Sequence, residues 1–360
     1  MTRRTFLAAV AATASGADSN AIYPSEWSRY ADPATEFNIL RLTDPARASY
    51  LTRPGNRAIS RRGAFLVFTT DRGTGLALWR MDLKSGQSRE IARDEGIVAA
   101  SPALASDEKF CFYLAKGGVF AANLANAKSR RVYSIPDGFS AGDGLAVAED
   151  GLDAFLVERH SSSGHYRLTA ISLRGGPATT AAESPEPISD PQPRPKRAGV
   201  MYRRGEQIWL VNYDGAQNRR LRTATGGTGQ ALWSPDGRQI LYLNFPEDRK
   251  QLHQIRELTP DANEDRMVAS TSQFIGFGVN GDGSVIAGAS GSKASPYVLL
   301  LVRSVRRELT LCEHHCSSAG LVCPVFAPDS RRVYFQSDRH GKLAIYSINV
   351  EKLVAETEVE

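Results

Sequence analysis

Several side chains able to hold a soft metal ion or move a proton fall in one short stretch: Cys312, Glu313, His314, His315, Cys316 and Cys323. Thiolate and imidazole ligands at this spacing suit zinc or copper. The same cysteines could instead form a disulfide, or remain buried thiols beside exposed histidines, because no second cluster completes a familiar zinc pattern. Gly138-Phe-Ser140-Ala-Gly142 matches the G-x-S-x-G form of a nucleophile elbow. That motif needs a parallel strand before it and a helix after it. Here it lies between two copies of a repeat, with Asp143-Gly144 following, and reads as a chance match. His160, His165, His253 and His340 are isolated and read as surface residues. Arg203-Arg204 and Arg219-Arg220 read as solvated turns.

The elements that must position these groups come from that repeat. A turn signature recurs at Ala105-Ser-Asp-Glu-Lys109, Ala148-Glu-Asp-Gly-Leu152, Ser234-Pro-Asp-Gly-Arg238, Asn280-Gly-Asp-Gly-Ser284 and Ala327-Pro-Asp-Ser-Arg331. An earlier copy has Arg61 at the aspartate position. Gly supplies positive φ and Pro presets the first turn residue. A β-branched or aromatic run follows each turn: Phe65–Phe68, Phe110–Tyr113, Ala154–Val157, Gly199–Tyr202, Ile240–Leu243, Val285–Gly288 and Val333–Gln336. A third strand follows in most copies, as at Leu78–Asp82, Ile208–Asn212 and Ala344–Ile348, and then a polar turn and a fourth strand. The period, in the low-to-mid forties, is that of a propeller blade. The expectation is an all-β, seven-bladed β-propeller, a closed ring without free sheet edges. Phe37–Leu42 is expected to add an outer strand to the last blade and fasten the ring. Ala182 to Arg197, rich in Pro and Ser, reads as a long loop between blades rather than a linker between two domains.

Composition sets the outer limits. The chain has 360 residues, 42% hydrophobic and 23% charged, which is ordinary for a folded domain. Its net charge of +5 is mild and scattered, and does not argue for nucleic acid. Thr2-Arg3-Arg4-Thr5-Phe6-Leu7 and the apolar run to Ala14 read as a twin-arginine export signal, giving a leader over 1–17 and one propeller domain over 18–360. The mature protein is expected to be periplasmic or secreted. No later segment is long and apolar enough to cross a membrane. A monomer or small homo-oligomer is expected.

Further residues carry a resemblance. Tyr30-Ala-Asp-Pro-Ala-Thr35, Arg41-Leu-Thr-Asp44 and Thr69-Thr-Asp-Arg-Gly-Thr-Gly75 resemble the opening of oligogalacturonate lyases. So do Ile208-Trp-Leu-Val-Asn-Tyr-Asp-Gly215, Trp233-Ser-Pro-Asp-Gly237, Leu311-Cys-Glu-His314, and Pro324-Val-Phe-Ala-Pro-Asp329 with Phe335-Gln-Ser-Asp338. The resemblance runs from about Tyr30 to Val350, and several of its elements recur in TolB-type propellers. It implies β-elimination on pectin-derived oligouronides. A base takes the proton α to a carboxylate whose charge is neutralised by an arginine and by Mn²⁺ or another divalent cation.

The resemblance places the family's base on Gln230, its arginine on Gln207, one metal histidine on Gln273 or Gly276, and the remaining ligands on Ser318, Leu321 and Cys323. A glutamine amide has no useful pKa and replaces a histidine ligand poorly. Two readings follow. One is a lyase acting on pectin-derived oligouronides, with altered ligands; the other is a catalytically inactive, TolB-like propeller binding acidic oligosaccharide or protein, beside which an accessory propeller of the TolB type in envelope assembly is a third. Arg57, Asp143, Gln192, Gln230, Gln273 and Cys323, read as lying just before the innermost strands, are expected at one mouth of the channel. Arg57 or Arg194 could neutralise a carboxylate, and His314 or His315 could serve as base or, with Cys323, as metal ligands.

Overall fold

The computed structural model describes residues 21–73, 75–248 and 250–355. The leader read over 1–17 lies outside the described residues. The architecture is an all-β propeller, with helix confined to Glu351–Ala355 and one 3₁₀ turn at Ala319–Leu321 among the described residues. Six sheets of antiparallel meanders follow one another along the chain. One of them has eight strands. It is two four-stranded meanders, 139–184 and 188–220, joined only by the parallel pairing of Asp143 with Ser189.

The aspartate of the repeat has a definite task. In each copy its Oδ1 accepts the backbone N–H two residues on: Asp107 from Lys109, Asp150 from Leu152, Asp236 from Arg238, Asp282 from Ser284 and Asp329 from Arg331, at 2.9–3.1 Å. This is an Asx turn, and it closes the hairpin between the first and second strands. The copy with Arg61 lacks that acceptor. There Ser60 Oγ accepts from Ala64 and Phe65 instead.

All seven apolar runs are second strands of their meanders. They are buried along both faces, as at Leu66, Val67 and Phe68 or Ile240 to Leu243. Neighbouring sheets cover both sides of each, so the sequence shows continuous rather than alternating apolar character. Outer strands such as Ser129–Ser134 face water and are polar.

The segment Ala182 to Arg197 is not a loop. Thr179–Ser184 closes one meander and Ile188–Pro193 is the innermost strand of the next. Pro185, Pro187 and Pro195 lie between strands, and the two in the strand are tolerated because Pro191 sits in a β-bulge between Ser189 and Gln192 and Pro193 ends the strand, positions that need no ladder donor.

Asn38–Arg41 pairs antiparallel with the C-terminal strand, Ile39 opposite Ile348 and Arg41 opposite Tyr346. A further strand, Ser28–Ala31, pairs outside it, and Ile22–Tyr23 adds to the edge of the sheet that holds Ser88–Ala92. Ile39 is fully buried with Val333, Phe335, Tyr346 and Ile348 in one cluster. Ile39→Ala should cost about 3 kcal/mol in denaturant unfolding monitored by fluorescence. A loss below about 1 kcal/mol would mean that this pairing is not part of the cooperative fold.

Candidate functional site

The site is built where innermost strands break their ladders. Bulges interrupt them between Ala141 and Leu145, Ser189 and Gln192, Thr228 and Ala231, and Phe274 and Gly276. A bulge leaves backbone groups unpaired and turns a side chain out of the pleat. Here the turned-out residues include Asp143, Asp190 and Gln230.

The fullest break is at Thr52–Asn56. Ser49–Tyr50 and Ile59 both pair with the strand Phe65–Asp71, and the residues between them leave it. Arg53 N donates to Ala100 O at 2.9 Å, and Asn56 Nδ2 donates to Leu145 O at 2.9 Å. Leu145 belongs to a sheet that is not the immediate neighbour, so this segment lies across the propeller axis. Gly55 has φ +91°, and a Cβ there would sit 3.1 Å from Gln192 Cδ. Both the backbone conformation and the close approach call for glycine.

Side-chain amides take up the orphaned backbone groups. Gln336 accepts from Leu51 N at 2.5 Å and donates to Leu321 O at 2.7 Å. Gln192 is buried and donates to Ala231 O at 2.7 Å. Gln230 Nε2 donates to Phe277 O at 2.6 Å, and its Oε1 accepts from Phe277 N at 3.1 Å. The Gln230 amide therefore copies a backbone bridge between two sheets. Its donor and acceptor are both committed, in keeping with its lack of acid–base character.

The other expected residues divide between the two ends of the channel. Gln230, Gln273, Asp143 and Cys323 lie on the entry halves of innermost strands or just before them. Gln273 holds φ +60°, and its carbonyl accepts from Gly291 N at 2.8 Å. Arg57 belongs instead to the hairpin end, where it bonds Ala105 O and Glu108. Arg194 is there too. It is buried, donates from Nε to Gly237 O at 2.7 Å, and forks onto Asp261 at 3.0 and 2.8 Å. A cavity of about 710 Å³ opens at this hairpin end, lined by Arg61, Asp107, Glu149, Asp153, Lys196 and Tyr213 among others. Gln207 heads a third strand opposite Arg204, away from the axis.

His314 and His315 are not brought to the channel. His314 is 2% exposed; Nε2 donates to Ser290 O at 3.0 Å and Nδ1 accepts from Cys316 N at 3.0 Å. Burial pushes its pKa down, so the ring is neutral and held at both nitrogens. His315 is half-exposed and pairs with Glu313 at 2.6 Å. All four cysteines are free thiols, so the disulfide considered for the 312–323 stretch is absent. Cys323 points Sγ at Thr52 O at 3.7 Å, and burial pushes its pKa up to about 12.

These residues do not fit manganese. A hard cation takes carboxylate oxygen, imidazole or water. The positions on offer are a protonated thiol at Cys323, an exposed Leu321 whose carbonyl is bonded to Gln336, and Ser318 and Gln273. Among the described residues no three His, Cys, Asp or Glu side chains group as a metal site.

The sequence reading missed two residues at the axis. Arg53, on the crossing segment, pairs with Asp143, and its Nη1 lies 3.8 Å from Asp190 Oδ1. Asp190 sits in its bulge with φ +53°. Its pKa is raised by burial, against the opposing pull of Arg53 and Arg203. Arg-Pro-Gly and Asp-Pro at these places are the only local signals, and neither points to a charge cluster.

Two outcomes follow. Gln230→Ala leaves Phe277 N–H and C=O without partners and should cost about 2 kcal/mol in urea unfolding; an unchanged midpoint would show that water replaces the amide freely. Asp190 holds its proton more tightly folded than unfolded, so its ionisation opposes folding as pH rises through the folded pKa. Asp190→Asn should raise the thermal midpoint at pH 7, with the gain shrinking as the pH is lowered. A gain that grows in acid would reverse the assigned sign.

No family model matches the chain. It is 21% identical over 378 residues to an oligogalacturonide lyase of Pectobacterium atrosepticum, covering 91% of this chain and 97% of the relative. It is 20% identical over 372 residues to an oligogalacturonate lyase of Dickeya dadantii, covering 89% and 95%. Among solved structures, an oligogalacturonate lyase in complex with manganese superposes with a TM-score of 0.86 at 21% identity, covering 91% of this chain and 97% of that one. The chain is thus similar to oligogalacturonate lyases in sequence along nearly the full length of both chains, and it shares their propeller fold.

Proposed function

We propose that this chain is an oligogalacturonate-lyase-like propeller whose ligand is a pectin-derived oligouronide, taken at the channel mouth beside Gln230 and the segment 52–56. The observation that carries this is the match along nearly the whole chain to lyases acting on that acid, in both sequence and fold. The proposal also holds that β-elimination does not run from the family's positions. Gln230 cannot accept the proton, and both ends of its amide are engaged by Phe277. Gln207 brings no charge to neutralise a uronate carboxylate, and no step is assigned to a divalent cation at residues that do not suit one.

Three further elements belong to the same reading. Counting the eight-stranded sheet as two blades makes a ring of seven, supported by the single pairing that joins its halves. The pairing of Asn38–Arg41 with the C-terminal strand supports closure of that ring from the N-terminal side. The Arg3-Arg4 leader supports export to the periplasm or beyond, and no helix among the described residues is long and apolar enough to cross a membrane.

The test is to mix the purified protein with trigalacturonate and Mn²⁺ and follow the ultraviolet absorbance of the unsaturated uronate product, with calorimetric titration in parallel. Binding should be measurable, and elimination should stay well below about 1 s⁻¹. Turnover at or above that rate would overturn the inactive assignment of Gln230, and absence of binding would overturn the ligand.

A further inference from the structure

Arg53 is carried toward the propeller axis by the crossing segment, and its surroundings are unequal. The backbone beneath it is fixed from several sheets. Leu51 N donates to Gln336, Thr52 Oγ1 donates to Asn56 O at 3.2 Å, and Asn56 donates to Pro102 O and Leu145 O. The guanidinium is therefore pre-positioned, with little freedom to lose when it takes a ligand. On its inner side stands Asp190, whose side chain is 24% exposed and whose bulge is packed tightly. A Cβ on Gly144 would come within 2.3 Å of Pro191 Cδ and 3.1 Å of Arg53 Nη1. On its outer side stands Asp143. That carboxylate is 69% exposed, against 22% for the Arg53 side chain.

One oxygen of the exposed carboxylate takes Arg53 Nη2 and the Asp143 backbone carbonyl lies 3.4 Å from Nη1, so Asp143 fills the in-plane donor edge where a carboxylate ligand would bind. Exposed ion pairs contribute little, so Asp143 can be displaced at small cost, whereas Asp190 and the backbone keep Arg53 in place. We infer that Arg53 is the carboxylate-binding residue of this channel and that Asp143 is a built-in competitor for it. Asp143 belongs to a bulge of a different sheet, so the competition also joins two blades when no acid is present. The inference rests on the oligouronide reading only for the identity of the acid. The site recognises a carboxylate held on a short polyanionic ligand.

The test uses the full chain and two acids, trigalacturonate and the unrelated tricarballylate, titrated calorimetrically into wild type, Asp143→Asn, Arg53→Gln and Arg53→Lys. Asp143→Asn keeps the shape and removes the competing charge, and should tighten binding of both acids about tenfold. Arg53→Gln should weaken both at least tenfold relative to wild type. Arg53→Lys keeps the charge without the fork and should fall between them; it decides the matter if Arg53→Gln does not fold. Equal affinity of wild type and Asp143→Asn for both acids overturns the inference. So does wild-type affinity in Arg53→Lys and Arg53→Gln, or the failure of every protein to bind either acid. If tricarballylate follows the expected order and trigalacturonate binds none of the proteins, the Arg53 site stands and the oligouronide reading falls.

Discussion

A backbone that bulges near the axis of a propeller must find partners for the N–H and C=O groups it frees. That requirement governs the centre of this molecule. A hydrogen-bonding group buried without a partner costs about 1–3 kcal/mol. The four innermost-strand bulges and the segment 52–56 would together place many such groups in a narrow space. Primary amides meet the need, because one planar group supplies a donor and an acceptor at backbone spacing. Asn56, Gln192, Gln230 and Gln336 each reach from one sheet to the backbone of another. The sheets are thus held together at the axis by side-chain amides as well as by apolar packing farther out.

This requirement changes the meaning of Gln230. At the position where the resemblance expects a base, the chain carries a residue suited to a different task. A base must keep one nitrogen free for substrate, whereas this amide spends both its ends on Phe277. Stability at the centre and proton transfer compete for the same position. Cys323 tells the same story more weakly: its thiol is buried against Thr52 O, where a metal ligand would need to face the channel.

The sequence made the scaffold legible and the centre much less so. The Asp of each hairpin and the apolar run after it repeat because each blade solves the same problem, a tight turn followed by a strand covered on both faces. Such a pattern survives in the residue types. Ala182 to Arg197 reads as one loop because Pro185, Pro187 and Pro195 do lie between strands, and composition does not distinguish them from Pro191 in its bulge or Pro193 at a strand end. Arg57 and Arg194 carry the right charge but sit at the hairpin end, where Glu108 and Asp261 hold them. His314 and His315 stand among soft ligands in sequence, yet the chain directs one ring to Ser290 and the other to Glu313. Arg53 and Asp190 were invisible because their meeting depends on a segment crossing the axis, a contact set by the ring rather than by local spacing.

The N-terminal strands have a consequence for how the chain acquires its shape. Ile39 pairs with Ile348, nearly the whole length of the chain away. Contacts of such separation carry the highest loop-closure entropy and form late. Until Ala344–Asn349 exists, the strand pair at 28–41 has no partner and presents an open edge. Such edges are templates for pairing with other chains. The period between synthesis of the first sheet and arrival of Ala344–Asn349 is therefore when this protein is most exposed to misassembly. Its apolar second strands, buried in the finished fold, are the segments most in need of protection during that time.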